Sequence, residues 1–154
     1  MWHALFAFTN LWAMLAWVLL VFFPRKPLTY SACLYLGVAL LCLTYAVCFV
    51  LLLSGSVDPG AQPGAGSAGF STIEGVRALF MTDAGVVIGW THYLAFDLFT
   101  GLWISRDADA KGFSRIAQTP VLLLTFLVGP VGLLSWLVMR EGAARRQARA
   151  QKAA

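Results

Sequence analysis

Two side chains of types that can transfer protons or bind a metal lie in the middle of a long apolar segment. His92 and Asp97 fall near the centre of residues 84–104, where Asp97 is the only acidic residue. An ionisable group at that depth of a bilayer is costly unless it is paired or hydrated, so it indicates a function. In a helix, five residues turn the two side chains about 140° apart, so they need not touch but can border one cavity.

A structural role explains the same two residues. Asp97 and His92 could hold helices together through hydrogen bonds to Tyr93, Thr91, Asn10 or the backbone of a kinked neighbouring helix. A metal centre is disfavoured, because the one other histidine, His3, lies at the far N-terminus. A serine-based triad is equally weak, because no serine lies near His92 on its own helix. We therefore predict no metal site.

Other residues of the apolar segments suit ligand binding or helix packing. A groove for a long apolar ligand could be lined by aromatic rings, although such rings in membrane spans more often only pack. Gly85 and Gly89 allow another helix to approach closely, which predicts a homo-oligomer through this face. Arg106, Asp107 and Asp109 follow the segment as a charge cluster, either in a solvated loop or at the polar end of a substrate. The groove residues would be Trp12, Trp17, Trp90, Phe96, Phe99 and Phe126.

These residues are positioned by a chain that is too apolar for an ordinary soluble domain. Of its 154 residues, 60% are hydrophobic and 12% are charged. Arg25 and Lys26 are the charged residues of the first 57 positions. This composition excludes intrinsic disorder and a soluble two-domain enzyme.

The apolar segments predict an all-α, polytopic membrane protein with four transmembrane helices in a small bundle. The sequence Pro24-Arg25-Lys26-Pro27 separates the first two spans, because the prolines disfavour helix continuation. Pro120 suits the first turn of the last span, and Pro130, within Gly129-Pro130-Val131-Gly132, should kink it. The predicted spans are residues 2–23, 28–53, 84–104 and 120–139.

The remaining segments are polar or mixed. Residues 54–69 are rich in Gly, Pro and Ser and predict a flexible loop. Residues 70–80 predict a short amphipathic helix with a capping box of Ser71 and Glu74. The tail 140–154 carries five basic residues, Arg140, Arg145, Arg146, Arg149 and Lys152, against Glu141. Such a run next to an apolar helix favours anionic lipid headgroups over nucleic acid. Cys33, Cys42 and Cys48 match neither a disulfide framework nor a metal site, so we expect small buried hydrophobic residues.

The pattern W-x-H-x-x-x-x-D from Trp90 to Asp97, followed by G-P-x-G from Gly129 to Gly132, resembles the abscisic-acid-deficient-four-like membrane family. The plant members are associated with neoxanthin formation. The resemblance implies isomerisation of an epoxy-carotenoid such as violaxanthin, without net redox change and without a cofactor. It also implies that His92 and Asp97 are catalytic, one protonating the epoxide oxygen and the other removing a proton next to the polyene.

The resemblance implies a carotenoid or related isoprenoid as the substrate. Because a plastid transit segment is missing and the loop and tail look bacterial, we expect this broader class rather than violaxanthin itself. The expected location is the bacterial cytoplasmic (inner) membrane, with several passes. Two rival hypotheses are a non-catalytic protein that binds a carotenoid or lipid or docks a partner, and a small transporter. The predicted substrate-binding residues are Asn10, Trp90, Tyr93, Phe96, Arg106, Thr125, Phe126 and Pro130.

Overall fold

The computed structural model describes residues 1–60, 64 and 66–153, with side chains as far as Arg145. These residues form helices and contain no β-strand, which confirms the all-α prediction. The helices are α1 Trp2–Phe22, α2 Pro27–Ser31, a π-helix Ala32–Val38, α3 Ala39–Leu53, α4 Ile73–Phe80, α5 Asp83–Ala110, α6 Arg115–Leu127 and α7 Gly129–Ala153.

Two stretches of the described chain are long and apolar enough to cross a membrane. They are α1 and the continuous helical run Pro27–Leu53, which contains α2, the π-helix and α3. In their most apolar windows 28% and 17% of the residues are buried, whereas the core helix of a soluble protein would be mostly buried. These helices support membrane association, and the four-span bundle stays a prediction.

The helices that cover the predicted third and fourth spans extend beyond them or divide them. Helix α5 extends past 104 to Ala110, and the region 120–139 is two helices rather than one kinked helix. Helix α6 ends because Val128 leaves the helical conformation (φ −146°, ψ 76°). Pro130 lies in the first turn of α7, where its missing N–H costs no hydrogen bond. Pro120 lies inside α6 instead of in a first turn.

The amphipathic helix begins later than the capping-box spacing predicted. Thr72, not Ser71, caps α4, because Thr72 is extended (φ −134°, ψ 157°). Its Oγ1 accepts a hydrogen bond from the Gly75 amide at 3.0 Å. Gly75 in turn lies on Gly69, where a Cβ would come within 2.9 Å of the carbonyl oxygen.

The chain forms two compact units, and the first comprises Met1–Met14 and Gly37–Phe96. Its core contains Trp2, Cys48, Ala84, Val87 and Ile88. The described part of the Gly- and Pro-rich segment contacts this core, because the Trp2 indole donates to the Asp58 carbonyl at 2.8 Å. The carbonyls of Pro59 and Gly60 accept hydrogen bonds from the first amides of α5.

The second unit comprises Leu15–Leu36 and Asp97–Ala154. Its interior holds Trp136, which is fully buried, and a polar contact in which the Gln118 amide donates to Ser105 Oγ at 2.8 Å. The Tyr30 hydroxyl lies 3.2 Å from the same Ser105 oxygen. These bonds join α2, α5 and α6 within this unit.

The cysteines differ from one another in burial. Cys33 and Cys48 are buried as expected, but Cys42 is exposed, so the prediction of three buried residues is wrong at that position. Cys42 lies on an outer face of α3, and an apolar surface there suits a helix in contact with lipid.

The predicted basic tail continues as helix α7, so Arg140 and Arg145 lie on helical turns. Arg145 pairs with Glu141 at 2.7 Å. The side chains of Arg146, Arg149 and Lys152, which the lipid-headgroup prediction also uses, lie outside the described part of the chain.

Candidate functional site around Asp97

The Asp97 carboxylate lies directly on the backbone of Gly129, at the start of α7. A Cβ at Gly129 would be 2.5 Å from the carboxyl carbon of Asp97 and closer still to Oδ1. The other oxygen, Oδ2, is shielded from solvent. The N-terminal end of a helix favours a nearby negative charge, because its peptide dipoles align. The contact leaves no room for a side chain at position 129, so glycine is required there.

A second close contact of the second unit involves small and aromatic residues. Gly101, one turn after Asp97 on α5, faces Trp17, and a Cβ there would lie 2.8 Å from the indole Cζ3. Trp17 packs edge-on against Phe126, with ring centroids 5.5 Å apart. Asp97, Gly101, Trp17, Phe126 and Gly129 form what we call the Asp97 cluster. It brings the Asp97–Gly129 and Gly101–Trp17 contacts to successive turns of α5.

Thr125 and Pro130, which we predicted to bind substrate, lie on either side of the α6–α7 break. Thr125 is fully buried and donates its hydroxyl proton to the Val121 carbonyl at 2.8 Å. Gly132 packs on Thr125, since a Cβ there would lie 2.5 Å from the Thr125 Cα. Pro130 is exposed. In this structure Thr125 therefore holds the break in place, and its hydroxyl is already engaged.

Gly129→Ala is expected to destabilise the protein by about 1–3 kcal/mol, because the new methyl group overlaps the Asp97 carboxylate and forces it or α7 to shift. Thermal unfolding in detergent measures this effect. Gly66→Ala is the matched control, because a Cβ at Gly66 meets no atom within 4 Å. Equal melting temperatures for the two variants would contradict the observed contact.

His92 belongs to the first unit, where it is exposed and part of a row of rings. Its imidazole stacks on Phe96 at 4.6 Å and contacts Tyr45 at 5.6 Å between centroids. Tyr45 stacks on Phe49 at 5.8 Å. We call Phe49, Tyr45, His92 and Phe96 the aromatic row. It offers one side of a long conjugated ligand a continuous set of rings.

A second group of predicted binding residues meets elsewhere in the first unit. Trp90 donates its indole proton to Asn10 Oδ1 at 2.9 Å, and Asn10 Nδ2 donates to the Phe6 carbonyl at 2.7 Å. Tyr93 stacks on Trp90 with centroids 5.2 Å apart. Asn10, Trp90 and Tyr93 are thus brought together, and Asn10 orients the Trp90 ring. Their part in substrate binding stays a prediction.

Gly85 and Gly89, predicted to form an oligomer interface, pack against residues at the end of α4 and just after it. A Cβ at Gly85 would lie 2.7 Å from the Leu79 carbonyl carbon, and one at Gly89 would lie 2.8 Å from Cε1 of the Phe80 ring. The close approach that these glycines permit is therefore used inside the chain. A homo-oligomer through this face stays a prediction and would require these residues to move aside.

The charge cluster after the third apolar segment is not a solvated loop. Asp107 lies on α5, and its side chain is only 13% exposed. Its carboxylate accepts hydrogen bonds from Arg140 Nε at 2.6 Å, Lys111 Nζ at 2.9 Å and Trp136 Nε1 at 3.0 Å. Burial raises the pKa of Asp107, but these three donors outweigh burial and hold the pKa below its ordinary value.

The sequence did not predict these contacts of Asp107, because Arg140 lies 33 residues further along the chain. The available signal was the spacing of Asp107 and Lys111, which places opposite charges one helical turn apart. The described residues contain no group of three or more His, Cys, Asp or Glu side chains arranged to hold a metal.

Comparison with known proteins identifies the family. A sequence model described as ABA DEFICIENT 4-like matches residues 4–136. The chain belongs to the ABA DEFICIENT 4-like family. The match confirms the resemblance carried by the Trp90–Asp97 and Gly129–Gly132 motifs. Neither a curated protein nor a solved structure matches the chain.

The ABA DEFICIENT 4-like match contains all of the predicted site residues, from Asn10 to Pro130. It also contains Asp107 but ends before Arg140, the strongest partner of that carboxylate. The predicted combination of His92 and Asp97 in one catalytic site stays a prediction, since the two residues belong to different units.

Proposed function

We propose that this protein is a multi-pass protein of the bacterial cytoplasmic membrane that binds a carotenoid or related isoprenoid and isomerises it by acid–base chemistry. The observation that carries the proposal is the Asp97 cluster, in which the Asp97 carboxylate lies against Gly129, and Gly101, one turn further along α5, packs on Trp17. Family membership supports the substrate class, and the apolar helices α1 and Pro27–Leu53 support the membrane location.

The proposed reaction needs proton transfer and no oxidant. In the isomerisation of an epoxide on a polyene to an allenic alcohol, the epoxide oxygen gains one proton. A carbon next to the polyene loses one proton, so the reaction is balanced. Asp97 is the side chain we assign to one of these transfers, because a partly shielded carboxylate can exchange a proton with an apolar ligand.

The aromatic row supports the binding part of the proposal. A polyene is long, flat and apolar, and four consecutive rings can contact one of its faces. Phe96 is 56% exposed and His92 is also exposed, so both rings are accessible from the apolar surroundings of the helix. Rings on a lipid-facing surface can take up a ligand from the bilayer without an aqueous route.

The proposal is tested by expressing the full chain in a carotenoid-producing host and analysing the pigments by mass spectrometry. Pigments extracted from the purified protein report binding, and pigments extracted from the membranes report turnover. We expect an isoprenoid to copurify and an isomer of equal mass to accumulate. Copurification without any isomer would favour the non-catalytic binding protein, and absence of both would remove the isoprenoid as ligand.

His92→Phe and His92→Ala separate ring packing from proton transfer at that position. Phenylalanine fills the place of the imidazole between Tyr45 and Phe96 but cannot carry a proton. We expect His92→Phe to retain the copurifying pigment and lose turnover, whereas His92→Ala loses both. The same extraction and mass spectrometry measure the two effects. Full turnover by His92→Phe would show that His92 is a packing residue and not an acid or base.

A further inference from the structure

The second unit contains a polar cavity between the Arg25–Pro27 turn and the end of α5. Its volume is about 630 Å³, and its wall is partly polar. Polar and charged side chains form much of its wall, namely Arg25, Tyr30, Ser31, Tyr35, Arg106 and Asp109. Pro27 begins one of the two helical runs that are long and apolar enough to cross a membrane, so the cavity lies at the end of a candidate span, the level at which a spanning helix meets lipid headgroups.

The charges of this cavity leave one cation uncompensated. Arg25 is neutralised, since its Nε lies 3.2 Å from Asp109 Oδ1 and its guanidinium donates to the Phe113 carbonyl. Arg106 forms no ion pair with any carboxylate whose side chain the structure describes. Its guanidinium instead lies 5.9 Å from the centre of the Tyr30 ring. The free positive charge therefore suits an anionic group.

An apolar cavity of about 470 Å³ adjoins the polar one on the other side of Arg106. The two share Leu34, Arg106 and Ala110 in their walls. The second is lined mainly by Phe99, Leu102 and Trp103. Asp107 also borders it, but its carboxylate is occupied by Arg140 and Lys111. An arginine thus stands at the junction of a polar and an apolar space.

We propose that these adjoining cavities bind an anionic phospholipid of the surrounding membrane. The headgroup phosphate pairs with Arg106 in the polar cavity, and part of an acyl chain lies along Phe99, Leu102 and Trp103. An arginine fork matches phosphate oxygens well, and an anionic headgroup supplies the counter-charge that Arg106 lacks. This lipid site goes beyond the proposed isomerisation and does not depend on Asp97.

The test uses the full chain purified in a neutral detergent and titrated with phosphatidylglycerol or phosphatidylcholine, with native mass spectrometry counting bound lipids. We expect a clear preference for phosphatidylglycerol. Arg106→Gln should weaken phosphatidylglycerol binding about tenfold, the effect of losing one charge-assisted interaction, and weaken phosphatidylcholine binding less, because the choline cation already offsets the phosphate charge of that lipid. Arg115→Gln is the matched control, because Arg115 is exposed and lines neither cavity. It should change binding by less than about twofold.

Further measurements separate lipid from other phosphates. Inorganic phosphate and short-chain dihexanoyl phosphatidylglycerol should bind much more weakly than the long-chain lipid, because they do not fill the apolar cavity. In the wild-type protein the preference for phosphatidylglycerol should fall as salt is raised, a result that needs no variant to fold. Three results would overturn the proposal. They are unchanged phosphatidylglycerol binding by Arg106→Gln, equal binding of the two lipids by the wild type, and tighter binding of an isoprenyl diphosphate than of phosphatidylglycerol.

Discussion

Asp97→Asn is expected to lower isomer formation by about 10²–10⁴-fold, the range for loss of a general acid or base. Asparagine has the same shape and keeps a carbonyl oxygen, so it can still lie on Gly129, but it cannot exchange a proton. The variant should therefore fold and retain bound isoprenoid. Isomer formation is measured by mass spectrometry of extracted pigments, at equal amounts of membrane-inserted protein.

Asp83→Asn is the matched control for that experiment. It makes the same substitution in the same helix, at a side chain that is 40% exposed and 3.9 Å from His3. We expect its turnover to equal that of the wild type. If Asp97→Asn turned over substrate at the full rate, Asp97 would be a structural residue that packs on the start of α7, and the proposed chemistry at this site would be wrong.

Asp107→Asn is expected to destabilise the protein by about 2–4 kcal/mol, because removing one partner of a buried ion pair leaves the other uncompensated. Arg140 and Lys111 would lose their anion, and Trp136 would lose its charged acceptor. Thermal unfolding in detergent measures the loss. Glu141→Gln is the control, because Glu141 and Arg145 are 54% and 72% exposed and such pairs contribute little.

The stabilisation that Asp107 contributes should also depend on pH in a defined direction. The lowered pKa of Asp107 means that the unfolded chain takes up this proton at a higher pH than the folded protein does. The stabilisation is therefore present above the ordinary aspartate value, near pH 4, and is lost as the pH falls through the lower, folded value. The stability difference between wild type and Asp107→Asn should shrink in that acidic range. If this stability difference stayed constant with pH, the contacts of Asp107 would stabilise the protein by packing alone.

The elements that depend on local sequence were predictable, and the contacts between distant residues were not. Helix α1 and the run Pro27–Leu53 follow from long uncharged segments. The third apolar segment was predicted to end at residue 104, whereas α5 continues to Ala110. Asp107 looks solvent-exposed from the sequence, because the sequence does not show that Arg140 is its partner. The cap of α4 was missed by one residue, since Ser71 and Thr72 are both suitable capping residues and the backbone conformation decides between them.

In the candidate site, too, the residue types were predictable and the contacts between distant residues were not. Residue type and apolar surroundings singled out His92 and Asp97, and the Gly129–Gly132 motif was recognised as a helix irregularity. The sequence did not reveal that Asp97 lies on Gly129, because that contact forms only when α7 starts a new helix after Val128. It also did not reveal that Gly85 and Gly89 are already covered by residues at the end of α4 and just after it.

The Asp107–Arg140 contact bears on how this protein can be shortened or tagged. The family match stops at residue 136, and a chain cut there would keep Trp136 and Asp107 but lose Arg140. Such a truncated protein would carry an interior anion without its nearest cation and should aggregate during expression. The residues just after the matched region belong to the folding unit, so an affinity tag or fluorescent fusion is best attached beyond the Arg140 turn.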